Sequence, residues 1–252
     1  RLTSQYRYAV GSPIEQVVKA VQSGDADQVI NLLKSHRNSN GVVSWIDPSS
    51  KAQEDLEAFE NVGLEVQRHA LEVVELAGSS QYEKALETLG QLQLLCASRV
   101  GQLGIAGWNR TVNKWIGTAT RKQWFVGRPV LITKNDHGNN LYNGDVGVVC
   151  SDKNGEVRVV FDGLGGPREF PTVRLPEVET VHALTIHKSQ GSEYQHAIVV
   201  LPTGRSRLLT RELLYTGVSR AREQLTIVAT EAALRTAVTT VISRASGLAD
   251  RL

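Results

Sequence analysis

Arginine and lysine are the side chains through which proteins most often meet phosphate, and in this 252-residue sequence they are unevenly placed. From Arg99 to Lys134 there is no Asp or Glu, while Arg99, Arg110, Lys114, Arg121, Lys122, Arg128 and Lys134 are all basic. A phosphate backbone can bind such a stretch; a solvated face, or a surface docked on an acidic neighbour, accounts for the charge equally well. Two further segments carry groups suited to phosphate chemistry. Thr185-Ile186-His187-Lys188-Ser189-Gln190-Gly191-Ser192-Glu193-Tyr194 lies between an apolar run and the apolar segment His196 to Leu201, and Arg211 to Arg222 reads RELLYTGVSRAR. Guanidinium groups offer positive charge in a fixed fork, which suits the oxygens of a phosphoryl group in transfer. Taken singly, each residue has an ordinary explanation: His187-Lys188 as an exposed polar turn, Glu193 as a carboxylate on a strand edge, Arg220 as an arginine favoured by the dipole near a helix C-terminus. Other chemistries lack their parts. Cys96 and Cys150 form no Cys-x-x-Cys pair, and there is no Cys/His metal cluster or nucleophile elbow, so neither a metal site nor a disulfide framework is expected.

The elements that position these groups must come from an ordinary globular composition, with 41% hydrophobic and 21% charged residues, 22 Gly and 7 Pro. That supports a sizeable core in one large domain, or one with a smaller insert. No apolar run approaches the roughly 20 residues of a membrane span, and RLTSQYRYAV has no signal-peptide core, so a cytoplasmic chain with reduced thiols and no membrane partner is expected. In such a chain the glycosylation-type triplet Asn109-Arg110-Thr111 is incidental. The sequence begins at Arg1 and contains no Met, against about five at typical usage, so it is expected to be a piece of something longer.

Ser12-Pro13-Ile14-Glu15 is a capping box with Pro at the first helical position, and Ile14, Val17, Val18 and Val21 follow at helical spacing until Gly24. A second short helix follows through Val29, Ile30, Leu32 and Leu33, and Val42 to Ile46 reads as a strand. Ser49 or Ser50 can cap the next segment, helical over about 51–77 with a possible break at Gly63; another helix covers Tyr82 to Leu89. This stretch is acidic: nine carboxylates, from Glu54 to Glu87, face only Arg68 and Lys84. Leu92 to Ala97 is of strand length, and Gly101 to Gly107 leads into a helix bearing Ile105, Trp108, Val112, Trp115 and Ile116. Three of the four Trp fall in the basic stretch, where they could stack on bases, although the helical spacing of Trp108 and Trp115 favours core packing. From Gly127 to Val178 the texture changes to short β-rich runs between turn signals, a small β-barrel or meander inserted in the α/β body. Asn154-Gly155 suits a tight hairpin between Val148 and Val157. His196 to Leu201 and Gln224 to Ala229 then read as buried parallel strands, joined by a helix from Thr210 to near Arg222.

Three segments bring a family into view. Thr185 to Tyr194 resembles motif V of superfamily 1 helicases, Arg211 to Arg222 resembles motif VI, and Leu2-Thr3-Ser4-Gln5-Tyr6-Arg7-Tyr8 resembles motif IV, in the family's order. The sequence is most similar to the RecD family, the alpha subunits of exodeoxyribonuclease V, through LTSQYRY, AVQSGD, QLLCASRVGQLGIAGWN, GRPVLITKND, LYNGDVGVV, IHKSQGSEY and TRELLYTGVSRAREQL. The similarity covers nearly the whole chain and is weakest from Lys51 to Glu87.

The resemblance implies an α/β fold: a RecA-like motor domain of the P-loop NTPase type, the second of two, interrupted by a small all-β barrel that helps grip single-stranded DNA, with a helical flank. Its expected parts are residues 1–126, including the acidic helices near 51–90, the barrel at 127–178, and the remainder at 179–252 with motifs V and VI. It further implies that Arg7 and Arg220 reach the γ-phosphate of ATP held on the other motor domain, that Gly191 lets backbone approach the nucleotide, that Glu193 binds its sugar, and that Thr185, His187 and Lys188 face DNA. No G-x-x-x-x-G-K-[ST] loop occurs in these residues, so ATP and Mg²⁺ are expected to be bound mainly by the N-terminal motor domain, and this portion alone is expected to be inactive. Single-stranded DNA, that N-terminal domain, and the RecB and RecC subunits are the implied partners; 5′ to 3′ unwinding in double-strand break repair and recombination is the implied activity. Two alternatives stay open at this level: a stand-alone RecD-like helicase, and a nucleic-acid or protein-binding module with no motor function.

Overall fold

The computed structural model describes residues 9, 11–36, 41–117, 123–175 and 177–242. The motif IV segment with Arg7, and Arg121 and Lys122 of the basic stretch, lie outside the described residues. Along the chain come α1 (Pro13–Ser23), α2 (Ala26–His36), β1 (Val43–Ile46), α3 (Gln53–Gly78), α4 (Tyr82–Gln91), β2 (Leu92–Cys96), α5 (Ile105–Trp115), β3 (Pro129–Ile132), β4 (Val146–Ser151), β5 (Val157–Phe161), β6 (Arg168–Pro171), β7 (Val178–Thr180), β8 (Ala183–Thr185), β9 (Tyr194–Val200), α6 (Arg211–Val218), β10 (Ala221–Val228) and α7 (Glu231–Thr239).

Five strands form a parallel sheet in the order β1-β10-β9-β2-β8. Both faces are covered, so the strands are apolar on both sides and alternate residues serve different layers. Leu95, Ala197, Val199, Leu225 and Ile227 pack with α1, α2, α6 and α7. Leu94, Cys96, Ile198, Val200 and Val228 face the other way, against Val62, Val66 and Ala70 of α3 and Trp108 and Val112 of α5. Each fully buried aliphatic side chain here contributes about 1.5–3 kcal/mol. The result is an α/β domain with a parallel sheet, in keeping with the expected fold class.

The β-rich stretch forms a second sheet, order β6-β5-β4-β3-β7, with every neighbouring pair antiparallel. Closure into the expected barrel is not part of this pattern: among the described residues no ladder joins the end strands β6 and β7. Helix α3 spans both sheets. Its first half packs on the parallel sheet, while Val73 and Ala77 in its second half meet Val148, Cys150 and Val160 of β4 and β5.

Local chemistry explains most boundaries. The Ser12 hydroxyl accepts from the Glu15 N–H, Pro13 opens α1, and Gly24 closes it at φ 81°, in the left-handed region that glycine tolerates. Helix α3 differs from expectation at two points. It runs unbroken through Gly63, held by packing on either side, and its N-cap is Ala52, with the Ser50 hydroxyl accepting from the Ala52 N–H just outside. Helix α6 stops at Val218 rather than near Arg222, because Ala221 already begins β10. Helix α7, capped by Thr230, had no counterpart in the sequence reading.

Candidate functional site

Thr185 ends the edge strand β8, and its hydroxyl accepts from the Lys188 N–H, capping a 3-10 turn over Ile186–Ser189. Ile186 and Ser189 point inward, the Ser189 hydroxyl donating to the Ile186 carbonyl at 2.8 Å, and His187 is left exposed. The Lys188 ammonium lies 2.7 Å from the Glu179 carboxylate on β7, so this turn is tied to the second sheet. Thr185, His187 and Lys188 thus sit together at the carboxyl end of the parallel sheet, the end at which open α/β sheets bind their ligands.

Gly191, Glu193 and Arg220 lie at the opposite end. Gly191 adopts φ 93°, and a Cβ there would meet nothing within 4 Å, so backbone conformation rather than space demands glycine. The chain then enters β9, where the Tyr194 N–H donates to the Arg220 carbonyl at 2.9 Å. Arg220 occupies the turn between α6 and β10 and is 7% exposed. Its Nε–H donates to the Thr216 carbonyl at 3.0 Å, one terminal nitrogen to the Ser192 carbonyl at 3.0 Å, and the other to the Ser219 hydroxyl at 3.2 Å. These bonds hold the guanidinium plane between the end of α6 and the Gly191–Glu193 turn. Beside it the Glu193 carboxylate lies 3.6 Å from the Arg222 Nε.

Six of the seven predicted residues therefore fall into two groups, and the seventh, Arg7, lies outside the described residues. The length of β9, about 20 Å from Tyr194 to Val200, separates the levels of the two groups along the sheet. Residues 186–193 descend from one level to the other beside α6, where Gly217 faces Ile186 and Val199. A Cβ on Gly217 would come within 3.2–3.3 Å of both, so glycine lets the helix lie close.

Several polar residues that the sequence reading did not single out for a role hold this arrangement. Asn109 on α5 donates to the Thr180 carbonyl at 3.1 Å and accepts from the Ala183 N–H at 3.0 Å, bridging the step from β7 to β8. Both ends of its amide are thus used within the fold, which fits the view that the glycosylation-type triplet is incidental. Asn113 meets the His182 ring at 3.0 Å in the same step, and Arg128, 6% exposed, donates to the Thr180 hydroxyl and the Gln123 carbonyl while stacking over Trp124. Among the described residues the basic stretch is divided: Arg128 is structural, Lys134 pairs with Glu177, and Arg110 and Lys114 ride on α5. Exposed arginines do rim the carboxyl end of the sheet, Arg99 after β2 and Arg205 and Arg207 after β9.

Trp108 is 5% exposed and packs on Phe59 and Trp115, a core role. Burial pushes both the Cys96 and Cys150 thiols up to about 12, which leaves them unreactive. Among the described residues no three His, Cys, Asp or Glu side chains converge to hold a metal, so no Mg²⁺ ligand set is assigned to them. None of the described helices is long and apolar enough to cross a membrane.

Residues 180–228, which carry both groups, match the family described as UvrD-like helicase C-terminal domain. The chain is similar over its whole length to the RecBCD enzyme subunit RecD of Mycobacterium tuberculosis (strain CDC 1551 / Oshkosh), at 41% identity over 256 residues covering 42% of that protein. It is likewise similar to the RecBCD enzyme subunit RecD of Haemophilus influenzae, at 32% identity over 266 residues covering 40% of that protein. Similarity to the ATP-dependent RecD2 DNA helicase of Deinococcus radiodurans is 28% over 234 residues, covering 89% of this chain and 28% of the relative. The chain spans about two fifths of the length of the RecD subunits it matches.

Proposed function

We propose that this chain, which belongs to the RecD family and corresponds to its C-terminal portion, is the second RecA-like motor domain of an ATP-dependent DNA helicase. The observation that carries the reading is the bonding of Arg220 to the Ser192 carbonyl and the Thr216 carbonyl. It links the motif VI arginine to the motif V segment, whose other end is the Thr185–Lys188 turn. A change felt at Arg220 is thereby felt along one continuous element at the opposite end of the sheet. Catalysis of phosphoryl transfer rests on positioning and charge, and a guanidinium held by three internal acceptors needs little reorganisation to present itself to an incoming phosphate.

In this reading ATP with Mg²⁺ supplies the phosphoryl transfer and is held mainly by the N-terminal motor domain. Arg220, together with Arg7, reaches its γ-phosphate; Gly191 allows backbone to approach it, and Glu193 takes its sugar. Thr185, His187 and Lys188, aided by the arginine-rimmed carboxyl end of the sheet, hold single-stranded DNA. The second sheet, paired to Lys188 through Glu179, completes that grip, whether or not it closes as a barrel. Residues 1–126, 127–178 and 179–252 are the corresponding parts of the domain. The full protein unwinds DNA 5′ to 3′ as a cytoplasmic subunit with RecB and RecC, in double-strand break repair. The RecD2-type relative keeps a stand-alone helicase as the second reading, and co-purification with RecB and RecC separates the two.

Arg220→Ala in the full-length protein is the direct test. DNA-stimulated ATP hydrolysis is expected to fall about 10³-fold or more, the scale of an arginine that stabilises transition-state charge, with unwinding lost. Retained hydrolysis and unwinding would refute the assignment.

A further inference from the structure

A groove among the described residues lies between α3 and α5, on one face of the parallel sheet. Phe59, Gly63 and Leu64 of α3, with Leu103, Trp108 and Trp115 on or just before α5, line about 670 Å³, room for several side chains. Gly63 keeps its floor open, the Trp115 ring being the only group near the place of its missing side chain, at 3.5 Å. The buried Trp108 indole N–H beside the groove finds no acceptor, an omission that costs about 1–3 kcal/mol. The apolar surface continues along α3: Leu56, Leu64 and Leu71 are 48%, 61% and 43% exposed. Their spacing returns them to one side of the helix over roughly 22 Å, the pattern that a second helix packs against.

Charge narrows the occupant. Glu54, Glu57, Glu60, Glu72 and Glu75 are all exposed on α3, against Arg68 as its one exposed base. Such a flank repels a phosphate backbone and an anionic lipid surface alike. A second copy of the chain is a poor occupant too: α3 packed on itself would set its carboxylates against one another, and among the described residues the other large hydrophobics of comparable exposure, from Val100 to Ile242, all lie outside its α-helices.

We propose that this seam seats an amphipathic helix of a companion subunit, apolar on the face it buries and rich in lysine or arginine where it passes the α3 carboxylates. The proposal rests on the reading of the protein as one subunit of an assembly. It gives the acidic helical segment a role that neither end of the parallel sheet requires.

The test uses the full-length protein produced together with its RecB- and RecC-type companions. With a photo-crosslinking p-benzoylphenylalanine in place of Leu64, irradiation is expected to yield an adduct on a companion segment of that chemistry, mapped by mass spectrometry. Leu64→Glu, and separately Glu57→Lys with Glu60→Lys, are each expected to lower co-purification about ten-fold, while DNA-stimulated ATP hydrolysis by the free protein stays within about two-fold of the unsubstituted level, as for surface changes remote from a site. Adducts on a second copy or on DNA, no adduct at all, or co-purification indifferent to both variants would overturn the proposal. An assembly that crosslinks as expected yet hydrolyses no ATP contradicts the helicase reading instead, and leaves the docking site standing.

Discussion

Arg220 and Lys188 make different demands on their neighbours, and their variants separate the two ends of the sheet. A lysine at position 220 keeps the charge but has no planar fork to reach the Thr216 and Ser192 carbonyls and the Ser219 hydroxyl together. Arg220→Lys is therefore expected to lose most of the ATPase activity that Arg220→Ala loses, with DNA affinity nearly unchanged; hydrolysis assays alongside DNA titrations check this, and near-normal turnover would show that charge alone suffices. Lys188→Ala is expected to act on DNA instead. It should weaken single-strand binding about equally for all sequences and reduce the slope of log affinity against log salt by about 0.7, the contribution of one phosphate contact. An unchanged slope in fluorescence titrations at several salt concentrations would remove Lys188 from the DNA face. Both residues stand out through their motifs, whereas Glu179 and Ser192, which hold them, do not: Glu179 is one of two acids, with Glu177, ahead of β8, and Ser192 acts through its backbone carbonyl.

Helix α5 shows how an element far from either ligand fixes both sheets. Asn109→Ala leaves the Thr180 carbonyl and the Ala183 N–H without their partner, and chemical denaturation is expected to register a loss of about 2–4 kcal/mol for two part-buried groups left unsatisfied. Loss of under half a kcal/mol would show that water replaces the amide. The same step contains a titrating group. Burial pushes the His182 imidazole down to about 3, whereas in the unfolded chain it protonates near 6.5. Between those values the unfolded state binds the extra proton, so stability is expected to fall as pH drops below about 6.5, by up to about 1.4 kcal/mol per pH unit from this group. Burial displaces His69 in the same direction. His182→Gln should flatten the profile of unfolding midpoint between pH 7 and 5; parallel profiles would contradict the attribution. The helix with its apolar face was legible from Ile105, Trp108, Val112 and Trp115, but the clasp was not, because its partners lie about 70 residues away and their chemistry is backbone. The early end of α6 was hidden for a related reason. Ala221 continues the helical pattern of RELLYTGVSRAR, yet it is taken by pairing with Tyr194 on β9, a contact that no local period records.

At the scale of the molecule, α3 is the strut between the two sheets, and Gly127 is the point where the second sheet begins against it. Gly127 adopts φ 82°, and a Cβ there would stand 2.3–3.0 Å from Val74, backbone included. Gly127→Ala combines strain with overlap and is expected to destabilise by about 2–4 kcal/mol, read as an earlier unfolding midpoint; wild-type stability would mean that the sheets shift freely on α3. The parallel sheet and its helices could be anticipated from alternating apolar runs and caps. The division of the motif residues between its two ends could not, since it follows from strand direction and order rather than from spacing. In the proposed function one end answers to nucleotide and the other to DNA, and this chain supplies the arginine but not the phosphate-cradling loop. DNA-stimulated ATP hydrolysis by this chain alone, and by the same chain joined to the N-terminal motor domain, tests it most directly. No hydrolysis is expected from the chain alone, and hydrolysis abolished by Arg220→Ala is expected on joining. Turnover by the chain alone, or turnover on joining that ignores Arg220, would contradict it.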